Sequence, residues 1–223
     1  MQEHDSSSAY LRLRTDILDG SIEPSSKLSI SQLTGVYKSS AAPVREALSR
    51  LSAEGLVIRK GQRGYWAAPI SLDEFKEVSR LRLMLEVDAF KQSIEKGDLE
   101  WEAQIAGARH REVTIRKQAF EGAMQGDIVT TLIKENRRFH LALISACPSF
   151  WQLRFISTLY DQSERFRRLS LLNTHQNPQE PRVDDHQLIM DAAFARDTSG
   201  ACELLYQHIE RSTSQVIENL FDQ

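Results

Sequence analysis

Residues 42–71 have the sequence APVREALSRLSAEGLVIRKGQRGYWAAPIS. Its first half repeats apolar residues at helical spacing and has Pro43 in the first turn, where the missing backbone N–H costs little. Gly55 ends this helix, because glycine takes the left-handed conformation that commonly closes helices. Two β-prone runs then flank residues 61–64, which include two glycines. The stretch therefore predicts a short helix followed by a basic β-hairpin.

Two further short helices precede this stretch. Apolar residues recur at helical spacing over residues 10–18, and Gly20 follows them. Ser29 or Ser31 can then cap a second helix that ends near Tyr37. Three short helices and a β-hairpin form a winged helix-turn-helix, whose third helix fits the major groove of DNA.

The composition is that of an ordinary globular protein. Of the 223 residues, 41% are hydrophobic and 26% are charged, so the chain can bury a sizeable core. The N-terminus lacks the pattern of a secretion signal, and no stretch approaches the roughly 18 apolar residues that span a membrane. Cys147 and Cys202 form no Cys-x-x-Cys pair, which argues against a disulfide framework. We expect a cytoplasmic protein with no membrane partner.

The charges and turn signals divide the chain into two parts. Residues 1–70 have a net charge of +2 and the remainder −5, a mild asymmetry that permits nucleic-acid binding by the first part. A capping box at residues 71–74 begins the second part, and residues that commonly end helices, such as glycine, proline and asparagine, divide it further. Together they predict helices at residues 71–97, 98–122, 127–146, 149–172, 182–196 and 198–221. The fold class is therefore mainly α, with a winged helix-turn-helix and an all-α six-helix bundle. The predicted domains are a disordered tail (1–8), the winged helix-turn-helix (9–70) and the helical domain (71–223).

Several side chains of the first domain are placed to contact DNA. Ser40 can cap the third helix, and Arg45 then lies in its first turn, within reach of base edges. The cations placed to meet phosphates are Arg50, Arg59, Lys60 and Arg63. The alternative interpretation is that these cations only face solvent, since such residues are common on protein surfaces that bind nothing. The order of the elements favours DNA binding.

Three segments carry a family signature: ILDGSIEPSSKLSISQL (17–33), PVREAL (43–48) and the pattern L-x-x-E-G-L-V (51–57). They resemble the GntR superfamily of bacterial transcription regulators over nearly all of residues 9–71. Where the family commonly has Ser-Arg-Thr, this chain has Ser-Ala-Ala at residues 40–42. Its operator sequence therefore cannot be inferred from the operators of better-known family members. The DNA-contacting set that the resemblance implies is Ser40, Ala42, Arg45, Arg50, Lys60, Arg63 and Gly64.

Polar residues recur on the apolar faces of three predicted helices. Asn136 and His140, four residues apart, both fall within one apolar arc. His186 lies in a second apolar arc and His208 at the edge of a third. A single histidine in such a place is more often a hydrogen-bonded core residue. Together, three imidazoles and an amide oxygen could bind Zn²⁺, Ni²⁺ or a similar divalent transition metal inside a bundle.

The helical part resembles the ligand-sensing FCD domain of the FadR branch, and its six helices are nearer the VanR-like group. The family pattern is matched by NRRFH, DDHQLIMDA and LLYQHIERS. The resemblance implies that Asn136, His140, His186 and His208 are the metal ligands. Asn136 replaces the more frequent Asp, which removes one negative charge from the ligand set.

Arg82 lies in the middle of the apolar stripe of the first helix of this domain. One interpretation is an intrahelical pair with Glu86. The other is that Arg82 binds the carboxylate of an effector, because a guanidinium is planar and bidentate. Relatives commonly sense organic acids and carry an arginine in a similar setting.

The sequence thus indicates a homodimeric repressor that binds a palindromic operator in double-stranded DNA, a divalent metal and a small organic acid. A small metal-dependent enzyme is the alternative. However, Asp185 points about 100° away from the face of His186, and no general base is obviously placed. An architectural DNA-binding protein is disfavoured, since unpaired buried polar groups would be costly.

Overall fold

The computed structural model describes residues 2–121, 126–173 and 184–222. The chain divides into two compact units, Met1–Glu74 and Phe75–Gln223. The boundary lies four residues beyond the predicted end of the first domain. Each unit has its own apolar core.

The first unit contains three helices and a small sheet. The elements are α1 (Gln2–Leu18), β1 (Lys27–Leu28), α2 (Ile30–Tyr37), α3 (Ala41–Ala53), β2 (Val57–Arg59) and β3 (Tyr65–Ala67). The strands are antiparallel in the order β1-β3-β2, with Ile58 of β2 opposite Trp66 of β3. This is the winged helix-turn-helix that the sequence predicts, with a third strand added.

The core of the first unit explains how α3 is positioned. Leu13 and Ile17 of α1 pack with Leu48 and Leu51 of α3, and all four side chains are buried. The opposite face of α3 faces solvent. Helix α1 begins at Gln2, so the structure has helix over residues 2–8, which the sequence assigns to a disordered tail. Once a helix has formed, each residue added to its end gains a hydrogen bond, so even a serine-rich segment can extend it.

The second unit is a bundle of long helices. They are α4 (Leu72–Lys96), α5 (Leu99–Glu121), α6 (Gly126–Leu143), α7 (Phe150–Asn173), α8 (Asp185–Phe194) and α9 (Thr198–Phe221). Ser71 Oγ accepts a hydrogen bond from the Glu74 N–H at 3.4 Å, as the capping box predicts. Asp184 and Asp197 cap α8 and α9 in the same way.

The core of the bundle brings α6, α7, α8 and α9 together. Phe139, Tyr160, Ile189 and Leu205, one from each helix, are essentially inaccessible to solvent. Burial of such side chains contributes about 1.5–3 kcal/mol each. None of the described helices combines the length and apolar composition needed to cross a membrane.

Candidate nucleic-acid interface and metal centre

The exposed face of α3 carries the residue that the sequence assigns to base contacts. Arg45 lies in the first turn of α3 and is exposed, as is Ala42. Ser40 occupies the N-cap position with an extended backbone, although its side chain makes no capping hydrogen bond. Ser40, Ala42 and Arg45 are therefore all accessible to solvent, as contact with DNA requires.

Two of the predicted phosphate-contacting cations lie over aromatic rings. The Arg50 guanidinium is 3.9 Å from the centroid of the Tyr10 ring, and Lys60 Nζ is 5.0 Å from that of Trp66. These cation–π contacts orient the two cations. Arg63 is exposed in the turn between β2 and β3, where Gly64 has a φ of 110° that side-chain-bearing residues rarely adopt.

Three histidines from three helices converge in the second unit. His140 comes from α6, His186 from α8 and His208 from α9, and their candidate ligand atoms all lie within 4.8 Å of one another. His186 Nε2 is 3.0 Å from His208 Nε2. His140 Nε2 is buried and has no hydrogen-bond partner among the described residues. The structure thus brings together the three histidines that the sequence singles out.

Each of these histidines contacts a carboxylate through its other ring nitrogen. His140 Nδ1 lies 3.2 Å from Glu86 Oε2, and His186 Nδ1 lies 2.7 Å from Glu112 Oε1. His208 Nδ1 lies 3.3 Å from Asp185 Oδ2. An ionised carboxylate accepts a hydrogen bond from an Nδ1–H group, so the ring proton lies on Nδ1 and Nε2 keeps its lone pair. All three imidazoles therefore present an acceptor nitrogen to the same point.

Burial keeps the three imidazoles neutral. Desolvation lowers the pKa of His140 and of His186 to about 4, although their carboxylate partners oppose the shift. Desolvation, followed by the neighbouring His186, lowers the pKa of His208 to about 3. Neutral imidazole is the form that binds a metal ion.

The carboxylates behind the histidines are ionised because arginines offset their burial. Desolvation alone would raise the pKa of Glu86, but the charge of Arg82 and the hydrogen bond with His140 bring it down to about 2. Glu112 also has its pKa lowered to about 2, since its contact with His186 and the nearby arginines outweigh desolvation. Glu112 contacts both Arg109 and Arg116.

The fourth predicted ligand and the predicted effector residue have different surroundings. Asn136 lies one turn before His140 on α6 and is half-buried. Arg82 is buried and forms the intrahelical ion pair with Glu86, which is the first of the two interpretations of the sequence. Its guanidinium also lies 4.3 Å from the ring centroid of Tyr160. The roles of Asn136 in metal binding and of Arg82 in effector binding stay predictions.

A cavity of about 720 Å³ adjoins the histidine cluster. His186 and His208 form part of its wall. The remaining lining comes from α5, α7, α8 and α9 and the residue that precedes α8: Arg116, Arg167, Ser170, Leu171, Asp184, Asp185, Leu188, Leu204, Gln207, Arg211, Ser212, Gln215, Val216 and Asn219. A cavity of this size is in the range of small-molecule sites in proteins.

Comparison with protein-family models gives two matches, one to each unit. Residues 5–66 match the family described as bacterial regulatory proteins, gntR family. Residues 77–211 match the FCD domain. The two matches correspond to the winged helix-turn-helix and to the bundle that contains the histidines and the cavity.

Curated relatives and solved structures agree with these matches. The chain is 40% identical over 207 residues to the uncharacterised HTH-type transcriptional regulator BphR of Paraburkholderia xenovorans, covering 93% of this chain and 83% of that protein. It is 32% identical over 202 residues to the HTH-type transcriptional repressor GlaR of Escherichia coli K12, covering 90% of each. The fold is similar to that of E. coli McbR/YncC, with a TM-score of 0.76, 21% identity and coverage of 96% and 97%.

These similarities decide between the classes of protein that the sequence left open. The relatives are named as transcriptional regulators, which favours a regulator over a small metal-dependent enzyme. The matched segments cover most of the chain and coincide with its two units. The chain is therefore a DNA-binding transcriptional regulator that belongs to the GntR family and carries an FCD domain.

Proposed function

We propose that this regulator is a cytoplasmic repressor that binds a palindromic operator as a homodimer and responds to a small organic acid. In this proposal the bundle also binds one divalent transition metal, such as Zn²⁺ or Ni²⁺, through His140, His186 and His208, with Asn136 as the fourth ligand. The observation that carries the proposal is the convergence of the three imidazoles, each oriented by its own carboxylate.

The imidazole geometry favours a cation at the centre of the cluster. Because Nδ1 of both His186 and His208 faces a carboxylate, both Nε2 atoms carry lone pairs, and these atoms are 3.0 Å apart. Two lone pairs at that distance repel, and neither atom has a proton to share. His140 Nε2 adds a third acceptor that is buried without a partner among the described residues. A metal ion bound by all three atoms would satisfy them together.

The acid fits the charge of such a centre. Three neutral imidazoles and an amide leave the charge of a divalent ion uncompensated within the ligand set. When bound, the metal would supply a positive charge beside the cavity, and a carboxylate is the natural complement. Regulation then requires only that the acid bind one dimer geometry better than the other.

Exposed apolar side chains support the homodimer. Phe150, Trp151 and Phe155 at the start of α7 are exposed by 54–67%, and Met84 of α4 is exposed by 59%. The two helices are in contact through Gln152, whose amide donates to the Leu85 carbonyl oxygen at 3.0 Å. An apolar surface of this kind is typical of a protein–protein interface, and a second copy of the chain is the occupant that a palindromic operator requires.

Electrophoretic mobility shifts with purified full chain test the proposal. The probe is the DNA upstream of the protein's own gene, with scrambled DNA as control and a panel of small carboxylates at millimolar concentration. We expect a discrete complex with the upstream DNA, about one metal per chain by elemental analysis, and weaker DNA binding with one of the acids. A protein that binds both DNAs alike, or whose DNA binding no acid changes, would refute the proposed function.

A further inference from the structure

Three arginines line the cavity beside the histidines, and they differ in their partners. Arg116 contacts Glu112, and Arg211 Nη2 lies 2.8 Å from Asp185 Oδ2. Arg167 of α7 also lines the cavity. Within residues 2–121, 126–173 and 184–222, the structure has no carboxylate at ion-pair distance from Arg167 and no acceptor hydrogen-bonded to it.

The two carboxylates whose charges act on Arg167, Glu86 and Glu164, are already paired with other arginines. Glu86 pairs with Arg82, and Glu164 Oε2 accepts a hydrogen bond from Arg137 Nη1 at 3.1 Å. Burial lowers the pKa of Arg167, and the charge of Arg82 lowers it further. Arginine keeps its proton under all such conditions in proteins, so the charge remains. The charges of Glu164 and Glu86 offset part of this shift in pKa, but neither carboxylate is at ion-pair distance from Arg167. A half-buried guanidinium without a direct partner among the described residues is suited to bind an anion that enters beside it.

Arg167 also lies close to the histidine cluster. The charge of Arg167 helps to lower the pKa of His208, although burial, the neighbouring His186 and the contact with Asp185 have larger effects. His208 and Arg167 line the same cavity. One small ligand can therefore contact both the guanidinium and the point at which the Nε2 atoms meet.

The rest of the cavity wall indicates the kind of acid. Leu171, Leu188 and Leu204 offer apolar surface, whereas Gln207 and Ser212 offer an amide and a hydroxyl. Apolar surface suits a short carbon skeleton, and the amide and hydroxyl suit further oxygen atoms. The lining thus fits a small acid with a second carboxylate or a hydroxyl group better than it fits a simple fatty acid.

Resting on the function proposed above, we propose that Arg167 binds the effector's carboxylate, while a second oxygen of the same acid is directed toward the histidine cluster. Arg82 then has a positioning role. By pairing with Glu86 it holds that carboxylate on His140, and Arg167 is left to the ligand.

The test compares two arginines of the same cavity. Full-length, zinc-loaded wild type, Arg167→Leu and Arg211→Leu are titrated with succinate and with citrate by calorimetry. Arg211 is the matched control, since it lines the cavity but is paired and half-exposed. A charged hydrogen bond contributes about 1.5–3 kcal/mol, so Arg167→Leu should weaken binding of the better probe by about 10-fold or more. Arg211→Leu should change it by less than about 3-fold.

Thermal melting in buffer without small carboxylates supplies a measurement that does not depend on the probe. A structural Arg167 would make the variant less stable. If Arg167 is unpaired, Arg167→Leu should melt at or above the wild-type temperature, because it removes a half-buried charge that has no ion-pair partner. Zinc content, measured on the same samples, checks that the bundle is intact.

Several outcomes overturn the assignment. They are equal probe affinities in wild type and Arg167→Leu, no binding of either probe to wild type, and a melting temperature of Arg167→Leu below that of wild type. If an acid changes operator binding equally in both proteins, the proposed function stands and Arg167 is not the anion-binding residue. If the probes bind through Arg167 but no acid alters operator binding, the anion site stands and the proposed effector response fails.

Discussion

The carboxylates behind the histidines offer the sharpest test of the metal centre. Glu112 is 1% exposed and contacts His186 Nδ1 with both oxygens, at 2.7 and 2.8 Å. In Glu112→Gln the amide keeps the shape, but the negative charge that strengthens the imidazole as a ligand is lost. Loss of such a partner typically reduces metal affinity by about 10- to 100-fold, or about 1.4–2.8 kcal/mol.

Competition with a chromophoric chelator measures that change directly. Glu100→Gln is the matched control, because it makes the same substitution on the same helix at an exposed position. We expect the zinc affinity of Glu100→Gln to stay within about 2-fold of wild type. Circular dichroism establishes that both variants are folded. A Glu112→Gln protein with unchanged zinc affinity would contradict the argument that this carboxylate orients His186 for a metal.

Three further predictions concern DNA, metal and assembly. Arg45→Ala should lower affinity for the operator by about 1–3 kcal/mol more than for random DNA, whereas Lys60→Ala should weaken both alike, as titration at fixed salt will show. The double variant His140→Ala, His186→Ala should take up no metal by elemental analysis and should melt below wild type. Trp151→Asp should shift the proposed dimer toward monomer in sedimentation velocity, and a variant that stays dimeric would show that Trp151 does not lie at the interface.

The sequence predicts the elements well because their ends are marked by local chemistry. The predicted helix at residues 198–221 coincides with α9, whose first turn Asp197 caps. Hydrophobic periodicity likewise places His140 and His186 on buried faces. In contrast, β1 has only two residues, too few to produce an alternating pattern, and it forms by pairing with β3.

The supporting residues of the site are much harder to predict. Arg109 and Glu112 belong to a run of charged residues on α5 that looks like a solvated helix face, yet both are almost fully buried. A buried ion pair and an exposed one have the same residue types and spacing, so the pattern cannot separate them. The contacts that distinguish them are tertiary, since Glu112 meets His186 of α8, which is 74 residues away in the chain.

Arg82 and Arg167 also show that a sequence pattern does not predict the partner of an arginine. The periodicity of α4 indicates that Arg82 is buried, and it is, but periodicity does not say whether Glu86 or a ligand is its partner. Arg167 stands in a run of basic residues near the end of α7, which does not distinguish it from its neighbours. Only the assembled bundle shows that Arg82 is paired, whereas Arg167 faces the cavity and has no carboxylate at ion-pair distance in the part of the chain that the structure describes.

The position of the cavity bears on the order in which the proposed metal and acid would bind. His140 is almost completely enclosed, whereas His186 and His208 border the cavity, which offers a route to the three Nε2 atoms. An acid held there would stand in the same passage as the ion behind it. In the proposed function, the metal would therefore bind before the acid and leave after it. While it is bound, the acid would slow the exchange of the metal ion with solvent.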